Sequence, residues 1–273
     1  MNILVTLDRN YLRPLLVMLT SLLLNNPNER FHIFLATDDL TENDLSFVRH
    51  LLRRFNSTLH VIYVEDDWFS NAPTIRYYSR AMYYRLLAAQ MLPPDLERIL
   101  YLDPDMLVIN PIRALYDTPM NSETLYAACT HEGLVNISSP VNKLRLSSYE
   151  TEDYFNSGML LMNLPAIRQY VHPCDIFAYA EKHRQLLVLP DQDILNGLYG
   201  NRILPLDEGL WNYDTRRYRE YLISSSGERN MSWVMKHTAI LHYCGKKKPW
   251  HKSNSGRFTV LYKHYMQLAN RLY

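Results

Sequence analysis

Two carboxylates in "YLDPDMLVIN", Asp103 and Asp105, stand two residues apart within an apolar run, "RILYLDPDMLVI", that reads as a buried strand. In an extended chain, side chains two apart share a face, so both would point one way. Pro104 between them holds φ near about –65°. Like charges so placed are costly to desolvate without a counter-charge, and a divalent cation is one group that supplies it. The same tripeptide is also good turn chemistry. His242, in "ILHYCGKKKPW", follows another apolar run and is either a ligand or a structural histidine. Lys248 closes a three-lysine cluster that is a solvated face or a phosphate contact. Gly245 beside it would let backbone approach phosphate oxygens. In "LPDQDILNG", Asp191, Gln192 and Asp193 open a helix, as caps or as a polar cluster for a sugar. "YFNSGML" places Asn156 and Gly158 before an apolar run, on its own a turn into a strand.

These residues need elements to hold them. β-type runs are read at 2–7, 31–39, 58–65 and in the Asp-Pro-Asp segment. Helices are read at 15–26, 41–55 with Thr41 as N-cap, and 79–93. Strand alternating with helix predicts an α/β chain with a doubly wound, mostly parallel sheet. Ligands of such sheets bind beyond the carboxyl ends of the strands, where Asp8 and the carboxylate pair would lie. Neither G-x-G-x-x-G nor G-x-x-x-x-G-K-[ST] occurs, which removes the main support for Rossmann dinucleotide and P-loop readings. The polar stretch 134–152 reads as a mobile loop over the site.

With 273 residues, 47% hydrophobic and 21% charged, the chain has room for one large domain or a domain with a short appendage. Its formal charge of +1 gives no case for nucleic-acid binding. After Glu228, however, no acid follows, while nine lysines and arginines do. Residues 1–250 are expected to form one domain and 251–273 a basic, aromatic C-terminal segment. Trp250, Phe258, Tyr262, Tyr265 and Tyr273 interleave with the basic residues as on a segment that touches anionic membrane, or as on a helix packed on the domain. Three scattered cysteines read as core thiols of a reducing compartment. No run reaches the roughly 18 apolar residues of a membrane span, and Asp8, Arg9, Arg13 and Pro14 interrupt any signal peptide. A cytoplasmic protein, with or without peripheral membrane contact, is expected.

Taken together and in this order, "YLDPDMLVIN", "YFNSGMLLMNL", "LPDQDILN" and "LHYCGKKKPW" resemble the family 8 glycosyltransferases, from Asn2 to about Trp250. Within that family it resembles the general stress protein A and lipopolysaccharide galactosyltransferase types. The resemblance implies a GT-A fold, a Rossmann-like mixed sheet flanked by helices, and retaining transfer of a hexose from a UDP-sugar, galactose or glucose, to an acceptor hydroxyl. It implies Mn²⁺, with Mg²⁺ the other candidate, held by Asp103, Asp105 and His242. Asp8, Asn10 and Tyr11 match the uridine contacts, Tyr11 by stacking. Arg85 matches the basic residue of the donor region, and Asn156, Asp191 and Gln192 match contacts to the donor sugar. Gly245 and Lys248 match the diphosphate clamp. Gln192, Asp191 and Lys248 take the catalytic positions. The chain departs from the family pattern at Cys129, Thr130 and His131, where an acid is frequent, and at Pro104, which removes a backbone N–H.

The chemistry so implied is displacement of UDP, its developing charge met by the metal and Lys248. Gln192 is a poor nucleophile and no glutamate stands in for it, so front-face attack is favoured over a covalent intermediate. A sugar nucleotidyltransferase and a non-catalytic nucleotide-sugar binder are the alternatives, the first weakened by the absence of a Gly-rich loop in "LVTLDRNYLRP". The acceptor, a carbohydrate, lipid-linked sugar or protein, is left open. "CGKKKPWHKSNSG" is poor in apolar residues and is expected to act as a lid that orders only when donor and metal bind.

Overall fold

The computed structural model describes residues 1–64, 81–130 and 153–272. Seven strands form the central sheet: β1 (Asn2–Thr6), β2 (His32–Thr37), β3 (Thr58–Tyr63), β4 (Arg98–Leu102), β6 (Tyr126–Thr130), β7 (Phe155–Asn163) and β8 (Ile203–Leu206). Their order is β3-β2-β1-β4-β7-β6-β8. The first four run parallel, β7 is antiparallel to both β4 and β6, and β8 is parallel to β6. The sheet is therefore mixed, as the GT-A expectation has it.

Alternation along the strands fills both faces. Leu4, Phe34, Ala36, Ile99, Tyr101, Leu160 and Met162 bury on one side, against Tyr83, Tyr84, Ile167, Ile176 and Ile194. Ile3, Val5, Ile33, Leu35, Leu100, Leu102 and Leu161 bury on the other, against Leu15, Leu19, Leu45, Val48 and Leu51. Helix α1 (Leu12–Asn25) begins three residues before the sequence reading, because Pro14 is tolerated in a first turn. Thr41 does cap α2 (Glu42–Arg53), in a reciprocal capping box with Asp44. Of the helix read at 79–93, the described part holds α3 (Ala81–Leu86) and a short turn of helix, Ala88–Met91.

The run "RILYLDPDMLVI" is not one strand. Asp103 N–H donates to Gly158 O at 2.8 Å, continuing the ladder beyond β4, and Pro104 then has no N–H to offer. The chain turns there, and β5 (Met106–Val108) leaves for a second sheet of order β5-β10-β9 with β9 (Tyr213–Asp214) and β10 (Ile240–His242). Same-facing carboxylates on an extended strand were thus the wrong reason for their convergence. The turn brings them together instead.

Phe258, Tyr262 and Ala269 of the C-terminal segment bury with Val17, Leu107, Tyr213 and Leu241 under this small sheet. In the C-terminal helix Thr259–Leu272, Tyr265 Oη accepts a 2.7 Å hydrogen bond from Asn25 of α1. Of the rings considered for a membrane, Phe258 and Tyr262 are buried and Trp250 and Tyr265 half-buried, while Lys252, Arg257, Lys263 and Arg271 stay exposed. Nor are all three cysteines core thiols: Cys129 is buried, Cys244 half-buried and Cys174 exposed. Among the described residues no helix is long and apolar enough to cross a membrane. The loop read at 134–152, His131 of the departing triplet, and Tyr273 lie outside the described residues.

Candidate active site

The site opens where β1 and β4 end and the small sheet begins. The register of β5 with β10 pairs Met106 with His242, which sets Asp105 beside the imidazole. Tyr243 N–H donates to Asp105 O at 3.1 Å and locks this register. β4 delivers Asp103 from the large sheet. One donor atom from each of Asp103, Asp105 and His242 lies within 4.8 Å of the other two.

Each carboxylate spends one oxygen on a cation and turns the other to the histidine. Asp103 Oδ1 accepts from Tyr101 Oη at 2.5 Å and lies 3.1 Å from Arg85 Nη2. Asp105 Oδ2 accepts from Lys248 Nζ. Their remaining oxygens lie 3.9 Å (Asp103 Oδ2) and 3.4 Å (Asp105 Oδ1) from His242 Nε2. Asp105 Oδ1 is buried and makes no hydrogen bond. Burial pushes the Asp103 carboxyl above its ordinary range, with Arg85 opposing this and the Asp105 charge adding to it. Burial acts the same way on Asp105, but His242 and Lys248 outweigh it and hold that carboxyl well below the carboxylate range.

These residues fit a divalent ion. Neighbouring ligands at about 2.1 Å from an octahedral centre stand about 3 Å apart, so the 3.4 and 3.9 Å from His242 Nε2 to the two carboxylates would close slightly around an ion. The orphaned Asp105 oxygen is the acceptor such an ion would satisfy. Two carboxylates with one imidazole form a donor set more suited to Mn²⁺ than to Mg²⁺. Gly158 leaves the space: a Cβ there would fall 2.5 Å from His242 Cε1 and 2.8 Å from Asp103 Oδ2.

A cavity of about 800 Å³ surrounds this cluster, and most of the residues named from sequence line it: Asn10, Tyr11, Arg85, Asn156, Asp191, Gln192, Gly245 and Lys248. Asp8 does not. Its carboxylate accepts from Asn10 N–H at 2.9 Å and caps the short 3-10 turn Arg9–Tyr11. Arg85 lies between Asp103 and Asp191, 3.2 Å from the latter, and donates to Ser157 O. Burial would lower its pKa, but Asp103, Tyr101 and Asp191 outweigh this and keep the guanidinium charged. Asp191, in the first turn of the helix Pro190–Tyr199, also accepts from Ser157 Oγ at 2.8 Å. Gln192 Oε1 accepts from Asn156 Nδ2 at 3.0 Å and from Ser157 N–H at 3.4 Å, while its buried Nε2 has no partner among the described residues.

The "CGKKKPW" stretch is not without anchors. Lys248 Nζ also donates to Tyr243 O at 3.0 Å. Trp250 stands edge-on to Tyr11 at 5.9 Å and packs on Tyr262 at 5.6 Å. Two aromatic contacts from outside the motif thus join the lysine's hydrogen bonds in anchoring the stretch. Sequence reading also missed Ser157, Arg216 and Asn212. Ser157 lies inside the quoted "YFNSGML". Arg216 lines the cavity and is tied to Asp214. Asn212 accepts from His242 Nδ1 at 2.9 Å across thirty residues of chain, a pairing that no local pattern signals.

Comparison with known proteins agrees with this architecture. The family model described as glycosyl transferase family 8 matches residues 2–254. The chain belongs to that family, and it is an enzyme of the glycosyltransferase class. General stress protein A of Bacillus subtilis is 26% identical over 97% of this chain and 93% of its own. A lipopolysaccharide 1,3-galactosyltransferase of Salmonella typhimurium is 26% identical over 92% of this chain and 73% of its own. The crystal structure of the galactosyltransferase LgtC in complex with donor and acceptor sugar analogs superposes with a TM-score of 0.83, at 24% identity, covering 98% of this chain and 96% of that one. It shares the GT-A fold.

Proposed function

We propose that this enzyme transfers a hexose, galactose or glucose, from a UDP-sugar to an acceptor hydroxyl with retention of configuration, using Mn²⁺. One observation carries the reading: the free oxygens of Asp103 and Asp105 and the His242 Nε2 converge, while Arg85 and Lys248 tie down the opposite oxygens. Asp103, Asp105 and His242 would hold the ion, whose contribution is Lewis-acid neutralisation of the diphosphate leaving group. Tyr11 and Asn10 offer a ring face and an amide to the uridine. Gly245, with φ of 82°, brings backbone close to the phosphates where a side chain would be strained and would meet Arg216. Lys248, once released from Asp105, lies on the same wall and adds charge to the departing diphosphate.

Gln192 supports front-face attack. Its carbonyl oxygen is occupied by two N–H donors and only its NH₂ is free, so it serves as a hydrogen-bond donor rather than as a nucleophile. Asp191 keeps Arg85 and Ser157 in place beside it. The named activities of the relatives are lipopolysaccharide galactosyl and glucosyl transfer, consistent with a saccharide acceptor. A panel of UDP-sugars assayed for UDP release with Mn²⁺ tests the reading. Asp103→Asn should lower release by about a hundredfold or more, since even outer-shell losses at metal sites cost 10–100-fold. Pyrophosphate release instead of UDP would identify a nucleotidyltransferase, and binding without turnover a non-catalytic binder.

A further inference from the structure

We propose that Asn212 is the positioning residue that presents the His242 Nε2 lone pair to the metal, and that a chain of buried amides holds Asn212 in the one orientation that does so. This rests on the metal reading above. The chain is anchored at a group that can only donate, the Gly158 backbone N–H, 2.9 Å from Asn156 Oδ1. The carbonyl branch of Asn156 must stand there, so its NH₂ is the branch that reaches Gln192 Oε1. Asn212 Nδ2 donates into the same Asn156 oxygen at 2.8 Å. Its carbonyl is therefore turned to His242 Nδ1, 2.9 Å away.

An acceptor at Nδ1 calls for a proton on Nδ1. In the neutral ring the lone pair then belongs to Nε2, the atom facing Asp103 and Asp105. A reversed Asn212 would set an NH₂ against Nδ1 and move the proton to Nε2, blocking the ligand position. Reversal is opposed at both ends, because it would also set a carbonyl against Asn156 Oδ1. Asn212, His242 and Gln192 are at most 5% exposed, and Asn156 is 8% exposed. A mispaired amide at such depth leaves buried polar groups unsatisfied, out of reach of the solvent that would replace the lost partners. Backbone polarity at Gly158 thus reaches the metal through two side chains.

Mn²⁺ affinity of the nucleotide-free protein, measured by calorimetry, tests this. Asn212→Leu, of similar size but without an acceptor, should weaken Mn²⁺ binding about 10–100-fold, as losses of outer-shell partners do. Asn212→Asp keeps an acceptor for Nδ1–H but sets a carboxylate oxygen against Asn156 Oδ1, so its folding stability should fall while its Mn²⁺ affinity stays within about threefold of the parent. UDP affinity without metal should be unchanged in both. Parental Mn²⁺ affinity in Asn212→Leu would overturn the proposal, and so would equal losses in the two variants, which would mark a packing role. If the parent itself takes up no Mn²⁺ that Asp103→Asn abolishes, the metal reading fails first and the role of Asn212 with it.

Discussion

Lys248 has two partners to choose between. In the ligand-free molecule its ammonium is bound to Asp105, and burial of 13% side-chain exposure sharpens the attraction. A metal entering the triad must compete with it for the same carboxylate, and the two cations repel. Removing Lys248 should therefore act in opposite directions on the two ligands. Lys248→Ala is expected to tighten Mn²⁺ binding by about a hundredfold or more without nucleotide, given roughly 3–4 kcal/mol for a charge pair at such range near a protein surface. The same variant should weaken UDP binding and lower turnover. Titrations of Mn²⁺ and UDP separately would show the crossing, and weaker Mn²⁺ binding in the variant would place Lys248 outside the competition. At this scale the sequence was informative where a motif is short. Asp103, Asp105, His242, Asp191, Gln192 and Lys248 all come to one cavity. Asp8 stands apart from the cavity lining and caps the turn beside it, a role that a carboxylate before a turn takes as readily as a ligand contact.

Elements were legible wherever period and caps agreed. Strands β1 to β3, helix α2 with its Thr41 cap, and the helix opening at Pro190 follow from pattern alone. The break at Pro104 was not, because apolar residues on both sides conceal the passage from one sheet to another. Only the pairing of β5 with a strand more than 130 residues away decides it. The anchors of the segment after β10 were hidden for a similar reason. Its own residues are polar, and what holds Trp250 lies on α1's approach and in the C-terminal helix. Trp250→Ala should cost about 2 kcal/mol, the sum of two aromatic contacts worth 0.5–1.5 kcal/mol each. Hydrogen exchange across 243–256 is expected to quicken in that variant before ligand is added. Unchanged exchange would mean that the Lys248 contacts alone order the stretch.

The whole molecule is two sheets that meet at the catalytic cluster. Asp103 ends a strand of the large sheet, whereas Asp105 and His242 belong to the rim of the small one, which also rests on the C-terminal helix. That helix buries its aromatic side and exposes its basic side. Attraction to anionic lipid would therefore rest on charge with no inserted rings, and be strongly salt-dependent. The passage from Asp103 through Pro104 to Asp105 has a mechanical consequence as well. An ion held by all three side chains is a rivet through both plates, and its presence is felt as stiffness far from the reaction. At about one hundred times its dissociation constant, such an ion adds about 2.7 kcal/mol to the folded state. Mn²⁺ should thus raise the melting temperature of the parent and leave that of Asp105→Asn unmoved, a result readable by calorimetry with no sugar present. An enzyme built this way would slacken along its seam if such an ion departed, loosening the wall through which a donor enters.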